Sequence, residues 1–283
     1  SSLKIRMGKC ISRRYDFNNV IYINTISIAG RATLQRCVIK HKTMECLTKT
    51  IIRKVIPRHT IHYEDEFLYV LDKLQTHNPR RCVKILHVIQ RYDSIEVFMP
   101  FYGEIDMFEF IEQVSTLPTH EFREICIPYI IKIAKAIRNL HSIPIIHGDI
   151  KLENIMMYKD DIILIDFDGA SYHSHYNRIH STATLAYAAP EKVQNGHICL
   201  ENDVWSFGVI IFAIFEGYMP FTKMQLRTCR ESSTKIHIKC EITPPWMLPI
   251  LIDILNIRPE KRPTMDEVVT RLVHEYNLIN IVD

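Results

Sequence analysis

The sequence predicts a two-part α+β chain, strand-rich up to about residue 100 and mainly helical beyond it. Three observations carry this. Short runs rich in Ile, Val and Tyr, separated by polar turns, recur between about residues 15 and 100. From about residue 104 the apolar residues recur at helical spacing. Within the second part, HGDIKLENIMMYKDDIILIDFDGA places a polar loop ahead of β-like runs joined by the turn KDD.

The strand-like runs are NVIYINTISI, TLQRCVIKH, CLTKTIIR, CVKILHVIQ and SIEVFMPFY. One helical segment, from about Thr60 to Leu74, interrupts them. Thr60 is suited to cap it, and Glu64, Asp65 and Glu66 favour its first turn through the helix dipole. MPFYGE, from Met99 to Glu104, reads as a hinge. The chain is then one domain over 1–283, with a small part at about 15–99, a hinge at 100–104 and a large part at 105–283. In the large part, FREICIPYIIKIAKAIRNLH repeats Ile127, Ile130, Ile131, Ala134 and Ile137 along one helix face.

Composition narrows the function classes. With 47% hydrophobic and 24% charged residues in 283, the chain reads as a globular protein with a large core. A net charge of +3 points to no direct nucleic-acid partner and no membrane surface. Eight cysteines contain no CxxC pair, which disfavours a zinc ribbon or a disulfide scaffold and suits a reducing, intracellular setting. SSLKIRMGKCISRR lacks the apolar core of a signal peptide, and the apolar run Val204 to Phe215 is too short to span a bilayer. No internal repeat or low-complexity linker is seen.

The loop and hairpin carry the chemistry. Asp149 and Asn154 fall on a loop, because Gly148 and Asp149 beside IPII suit a helix poorly. The hairpin that follows returns the chain and can bring Asp166 beside Asn154. Facing oxygen ligands of this kind suit Mg²⁺, which takes few protein ligands and completes its shell with phosphate oxygens. Asp149 can face an incoming hydroxyl, and Lys151 can neutralise a transferred phosphoryl group. A base, a cation and a metal pair are the parts that phosphoryl transfer needs.

HGDIKLEN followed by LIDFDGA resembles the catalytic loop and metal-binding motif of eukaryotic-type protein kinases. Further matches lie in the family's order: ATLAYAAP with Glu191, DVWSFG from Asp203, GYMPF from Gly217 and RPEKRPTMDEV from Arg258. The resemblance runs from about residue 20 to 275. It implies the bilobal protein kinase fold, with a small β-rich lobe holding one main helix and a larger α-helical lobe. Lys151 and Thr184 are marks of the Ser/Thr branch. The short loops and Ile/Asn/Lys/Tyr-rich composition resemble the small kinases of large DNA viruses such as baculoviruses, which implies a place in the host cytoplasm or nucleus.

The resemblance also assigns roles. ATP and Mg²⁺ are the cofactors, and the partner is a protein bearing Ser or Thr. Asp149 orients the substrate hydroxyl and accepts its proton, Lys151 stabilises the transferring phosphoryl group, and Asn154 and Asp166 hold Mg²⁺. The glycine-loop positions fall on Ser27, Ala29 and Ala32, with Leu34 in the valine position. These positions come from counting back from CLTK by the family's spacing of about fifteen residues, with Lys49 in the place of the phosphate-contacting lysine. Leu47 would then lie above the adenine. The carboxylate partner of the lysine is Glu66, backed by Val70, with Glu64 or Asp65 as alternatives. Met99 guards the back of the pocket, Pro100 and Tyr102 offer backbone groups to adenine, Asp106 meets the ribose and Met156 forms the floor. An ordinary core role accounts for Met156 equally well.

Other residues receive plainer readings. His147 is structural and packs beneath Phe167. His173, His175 and His180 fit a polar loop better than a metal site. Ser174, Ser181 and Thr182 are candidate phosphorylation sites in that loop. Glu191 and Arg262 form a buried ion pair, and Asp203 holds the catalytic loop from below. Two positions depart from the family. Gly148 replaces an arginine that pairs with loop phosphate, so the loop is expected to be ordered by neutral contacts, chiefly Thr184 with the catalytic loop and Glu191 with Arg262. Asp168 replaces a glycine at a backbone bend; Asp tolerates a left-handed bend there, keeps the metal site and restricts flipping of Phe167. An active Ser/Thr kinase is favoured over a pseudokinase scaffold, suggested by the eroded glycine loop, and over a small-molecule kinase, which the peptide-platform segment ATLAYAAPE disfavours.

Overall fold

The computed structural model describes residues 15–17, 19–29, 32–42, 48–172, 184–228 and 238–280. The chain divides into two compact units, Ser1–Gly103 and Glu104–Asp283. The division falls within the segment expected to be a hinge, at Gly103, whose φ of 107° favours glycine.

The first unit is an antiparallel sheet with one long helix. Its strands are β1 (Ile21–Ala29), β2 (Ala32–Lys40), β3 (Thr48–Pro57), β4 (His87–Gln90) and β5 (Ser94–Pro100), in the order β1-β2-β3-β5-β4. Phe17, Cys37, Ile39, Ile51, Leu86 and Phe98 form a buried cluster on this sheet. Helix α1 spans Glu64–His77, later than the expected start at Thr60. Thr60 does not cap it: residues Arg58–Thr60 form a separate turn, and the Thr60 hydroxyl donates to Pro57 O at 2.7 Å. The acids Glu64, Asp65 and Glu66 do occupy the first turn of α1, where the helix dipole favours them. Its end is marked by Asn78, left-handed at φ 46°.

The second unit is mainly helical. It contains α2 (Met107–Val114), α3 (Thr119–His141), α4 (Pro190–Asn195), α5 (Leu200–Glu216), α6 (Lys223–Thr228), α7 (Leu248–Ile254) and α8 (Met265–Asn280). Its short strands are β6 (Ile145–Ile146) paired with β9 (Ser171–Tyr172), and β7 (Ile155–Tyr158) paired with β8 (Asp161–Leu164). Helix α5 is apolar from Val204 to Phe215 apart from Ser206 and is buried over nearly all of that run. Its start is closed by the Asn202 side chain, whose oxygen accepts from Cys199 N at 3.0 Å, and its end by Gly217 at φ 75°. No helix among the described residues is long and apolar enough to cross a membrane. Among the described cysteines, Cys37, Cys82, Cys126, Cys199 and Cys240 are free thiols. Burial pushes the Cys82 and Cys126 thiols up to about 12, far from thiolate reactivity.

Candidate active site

The 147–166 stretch of the second unit is folded by a tight hairpin. Strands β7 and β8 pair from Ile155↔Leu164 to Tyr158↔Asp161, so Lys159 and Asp160 form the whole turn. Lys159 adopts φ 56°, the left-handed backbone that such turns require. At the open end, Ile165 N donates to Asn154 O at 2.9 Å. The hairpin therefore carries Asp166 back to Asn154 across the intervening chain.

Asp149 is fixed through both of its oxygens. Its Oδ1 accepts from Thr184 N at 3.0 Å, and its Oδ2 lies 3.2 Å from Lys151 Nζ and 3.3 Å from Asn154 Nδ2. Lys151 Nζ also donates to Thr184 Oγ1 at 3.0 Å. Asn154 Nδ2 donates to Asp149 O at 2.8 Å, which turns the amide oxygen the other way. Asp149, Lys151, Asn154 and Thr184 thus form one network from two segments of chain.

Beneath this network lies a buried anchor. Asp203 is 1% exposed and accepts from His147 N at 2.8 Å and Gly148 N at 2.9 Å, and its Oδ2 lies 3.0 Å from His141 Nε2. Burial alone would raise the Asp203 carboxyl. The His141 hydrogen bond and charge, the His147 charge and the Gly148 amide outweigh it and hold the group below the usual carboxylate range. His147 is fully buried, its ring centroid 4.6 Å from that of Phe167 and its Nε2 2.9 Å from Ile165 O. The histidine ties the loop to the strand end that bears Asp166.

Glu191 and Arg262 form a bidentate pair, at 2.7 Å and 2.8 Å. Arg262 Nε and Nη1 further donate to the carbonyls of Asn256 and Glu201, and its guanidinium carbon lies 4.9 Å from the Trp205 ring centroid. Asn202 also donates to Glu191. The pair clamps the start of α4, which follows ATLAYAAP.

The bend near Asp166 differs from the expectation for Asp168. Asp166 is itself left-handed, at φ 63°, whereas Asp168 is exposed and does not adopt a positive φ. The residue that bears the backbone strain is the metal-ligand candidate, so no glycine is required at 168.

Mg²⁺ fits the donors present. Asn154 offers an amide oxygen and Asp166 a carboxylate, both hard oxygen ligands. Among the described residues no cluster of three or more His, Cys, Asp and Glu could form a closed metal cage. An ion held by these two side chains would complete its shell with oxygens from outside the pair, such as water or phosphate.

In the first unit two lysines stand on one strand, Lys49 and Lys54. Lys49 pairs with Ile39, one pair away from the connection that joins β2 to β3, and is exposed. Counting assumed a short connection, but β2 ends at Lys40 and β3 begins at Thr48, a longer excursion. Lys54 sits further along β3, opposite Leu34 on β2 and Val97 on β5, and is only 8% exposed. Lys54 ends the run IIRK in the middle of the strand. Leu47 lies outside the described residues; two positions before Lys54 stands Ile52, opposite Met99. Ser27 and Leu34 are paired in the β1–β2 hairpin, as are Ala29 and Ala32 at its end.

Of the three acids on α1, Glu66 is buried, Asp65 is exposed and Glu64 pairs with Arg58. Val70 lies fully buried one turn after Glu66. Glu96, the other buried carboxylate of this unit, is held by Arg53 and Arg91. Pro100 closes β5 opposite Ile51, and the Tyr102 hydroxyl accepts from Lys84 N at 3.0 Å. In the second unit, the Asp106 carboxylate caps α2, accepting from Glu109 N at 2.9 Å, and its backbone bridges to Met156. One oxygen of Asp106 therefore has a structural duty. Residues 173–183, including His173, Ser174, His175, His180, Ser181 and Thr182, lie outside the described residues.

Comparison with known proteins agrees with this geometry. The family model described as protein kinase domain matches residues 30–274. The chain belongs to the protein kinase domain family. Curated relatives of this kinase domain include the maternal embryonic leucine zipper kinase of Xenopus laevis, 27% identical over 73% of this chain and 32% of that protein. The Aurora kinase of Schizosaccharomyces pombe is 28% identical over 62% of this chain and 49% of its own length. CBL-interacting serine/threonine-protein kinase 15 of Arabidopsis thaliana is 30% identical over 67% of this chain and 47% of its length. The chain spans between about a third and a half of these relatives. The fold is that of the family, a β-sheet lobe followed by a helical lobe.

Proposed function

We propose that the chain is an active Mg-ATP-dependent protein kinase acting on Ser and Thr hydroxyls. The observation that carries this reading is the setting of Asp149, held by Thr184, Lys151 and Asn154 at hydrogen-bond distance. A carboxylate oriented in this way is a general base for an incoming hydroxyl. Lys151 lies where it can stabilise charge on the group being transferred. Asn154 and Asp166 would hold Mg²⁺. When bound, the metal draws charge off the phosphates.

Lys54, not Lys49, is the lysine assigned to the nucleotide phosphates, with Glu66 as its partner. A buried ammonium and a buried carboxylate in the same unit each need an opposite charge. Met99, Pro100, Tyr102, Asp106 and Met156 keep their assignment to adenine and ribose by family resemblance. The same proposal covers a single kinase domain over 1–283, a viral origin suggested by composition and an intracellular place of action.

A second reading, a pseudokinase scaffold, is favoured by Ser27, Ala29 and Ala32 at the glycine positions. The test is labelled ATP with Mg²⁺ and a generic basic protein, followed by phosphoamino-acid analysis. Phosphoserine or phosphothreonine is the expected product. Nucleotide binding without transfer would favour the scaffold, and label passing only to a small alcohol would favour a small-molecule kinase.

A further inference from the structure

Gly148 has an unusual environment. Its φ is 76°, and a Cβ added there would come within 2.6 Å of Gly169 O and 3.7 Å of Lys192 Nζ. The space a side chain at 148 would enter is closed by the Gly169 carbonyl, and the ammonium of Lys192, reaching in from α4, lies beside it. Lys192 Nζ donates to Gly148 O, the carbonyl of the peptide that leads into Asp149. Burial pushes the Lys192 ammonium down, while the charges of Asp203, Asp149 and Glu191 favour it. Lys151 already pairs with Asp149 and Arg262 with Glu191, and Lys192 adds a further positive charge near these acids.

The geometry points to Lys192 as a positioning residue for the base loop. It supplies from α4 the cation that the loop lacks at 148. One bond fixes the Gly148–Asp149 peptide from below, while the Asp203 carboxylate fixes the amides of His147 and Gly148. Because Lys192 is part of the chain, this cation is in place whether or not the segment before Thr184 carries phosphate. The inference deepens the phosphoryl-transfer reading and rests on it for its kinetic test alone.

Lys192→Met and Lys192→Arg are compared with wild type after phosphatase treatment. Two readouts are taken: steady-state transfer to the basic protein, and hydrogen exchange of the peptide covering 147–149. Lys192→Met is expected to lower kcat about ten- to a hundredfold, the scale of one charge-assisted hydrogen bond. KM for ATP should move less than about twofold, since Lys192 acts on the base. Exchange at 147–149 should quicken in the Met variant and stay near wild type in the Arg variant, which should also keep most of its turnover. Met-variant turnover and exchange both near wild type would overturn the proposal, as would equal losses in Met and Arg. If the wild type transfers no phosphate, the functional reading fails, and exchange alone decides the role of Lys192. If Lys192→Met does not fold, Lys192→Gln is read in the same way.

Discussion

The loop that bears Asp149 and the strand that bears Lys49 and Lys54 differ in how far sequence spacing fixes position. From Asp149 to Asp166 the chain passes a short loop and a hairpin whose turn is only Lys159 and Asp160. No residue can be inserted there without shifting the register, so sequence spacing and spatial position agree. Between Leu34 and the lysine lies the connection that follows Lys40, where extra residues cost little because loop-closure entropy grows slowly with length. Spacing is a reliable ruler across tight turns and a poor one across open connections. Burial is the better guide there: Lys54 is buried and Lys49 is exposed.

The sharpest break of this contrast is at the ruler that worked. Asp149→Asn or Asp166→Asn should lower turnover by about a hundred- to ten-thousandfold, through loss of the base or of the charge that holds Mg²⁺. Asp149→Asn should leave ATP binding largely intact, as nucleotide titration would report. Near wild-type turnover in either variant would refute the assigned chemistry.

Next comes the clamp of the second unit. Arg262→Met leaves Glu191 without its guanidinium partner, and removing one half of a buried pair costs about 3–5 kcal/mol. Denaturant melts of wild type and variant measure this directly; a change below about 1 kcal/mol, the range of an exposed pair, would mean that the clamp is not buried in solution.

The ruler that failed is tested by a pair of variants. Lys54→Met should reduce turnover at least about tenfold, the loss expected for a charge-assisted contact to phosphate. Lys49→Met, at an exposed position, should stay within about twofold of wild type. The reverse order would restore Lys49.

A smaller effect concerns pH. The Asp203 carboxyl is held below its usual range. Its contribution to stability is fully present above the unfolded value near ~3.9 and is lost as pH falls through the lower folded value. Asp203→Asn should therefore be less stable than wild type at neutral pH by about 1–3 kcal/mol, with the gap narrowing in strong acid. A gap that does not change between neutral and strongly acidic denaturant melts would contradict the assignment.

Smallest of all is Asp168→Gly. Because Asp168 is not left-handed, glycine relieves no strain there and should change stability by less than about 1 kcal/mol. Marked stabilisation would show that the bend lies at 168 after all.

Much of the second unit was legible because its motifs are local. His147 beneath Phe167, Glu191 with Arg262, Asp203 under the loop and Thr184 against Lys151 each join a motif to a partner that resemblance could name. What escaped reading depended on geometry with no local mark. Thr60 has the chemistry of a cap, but a separate turn takes it and α1 begins at Glu64. Asp168 looked like the strained position because glycine usually stands there, while the left-handed backbone belongs to its neighbour Asp166. Lys192 carried no signal at all, since nothing in PEKV tells where an ammonium reaches.

Gly148 also has a consequence for the mutational history open to this chain. A single codon change can turn a glycine into arginine. At this position the new side chain would start 2.6 Å from the Gly169 carbonyl, on a backbone that L-residues adopt at a cost of about 1–2 kcal/mol, with Lys192 already in its path. The obstacle is the backbone carbonyl of residue 169, which no side-chain replacement there removes, so the course of the neighbouring chain holds position 148 to glycine.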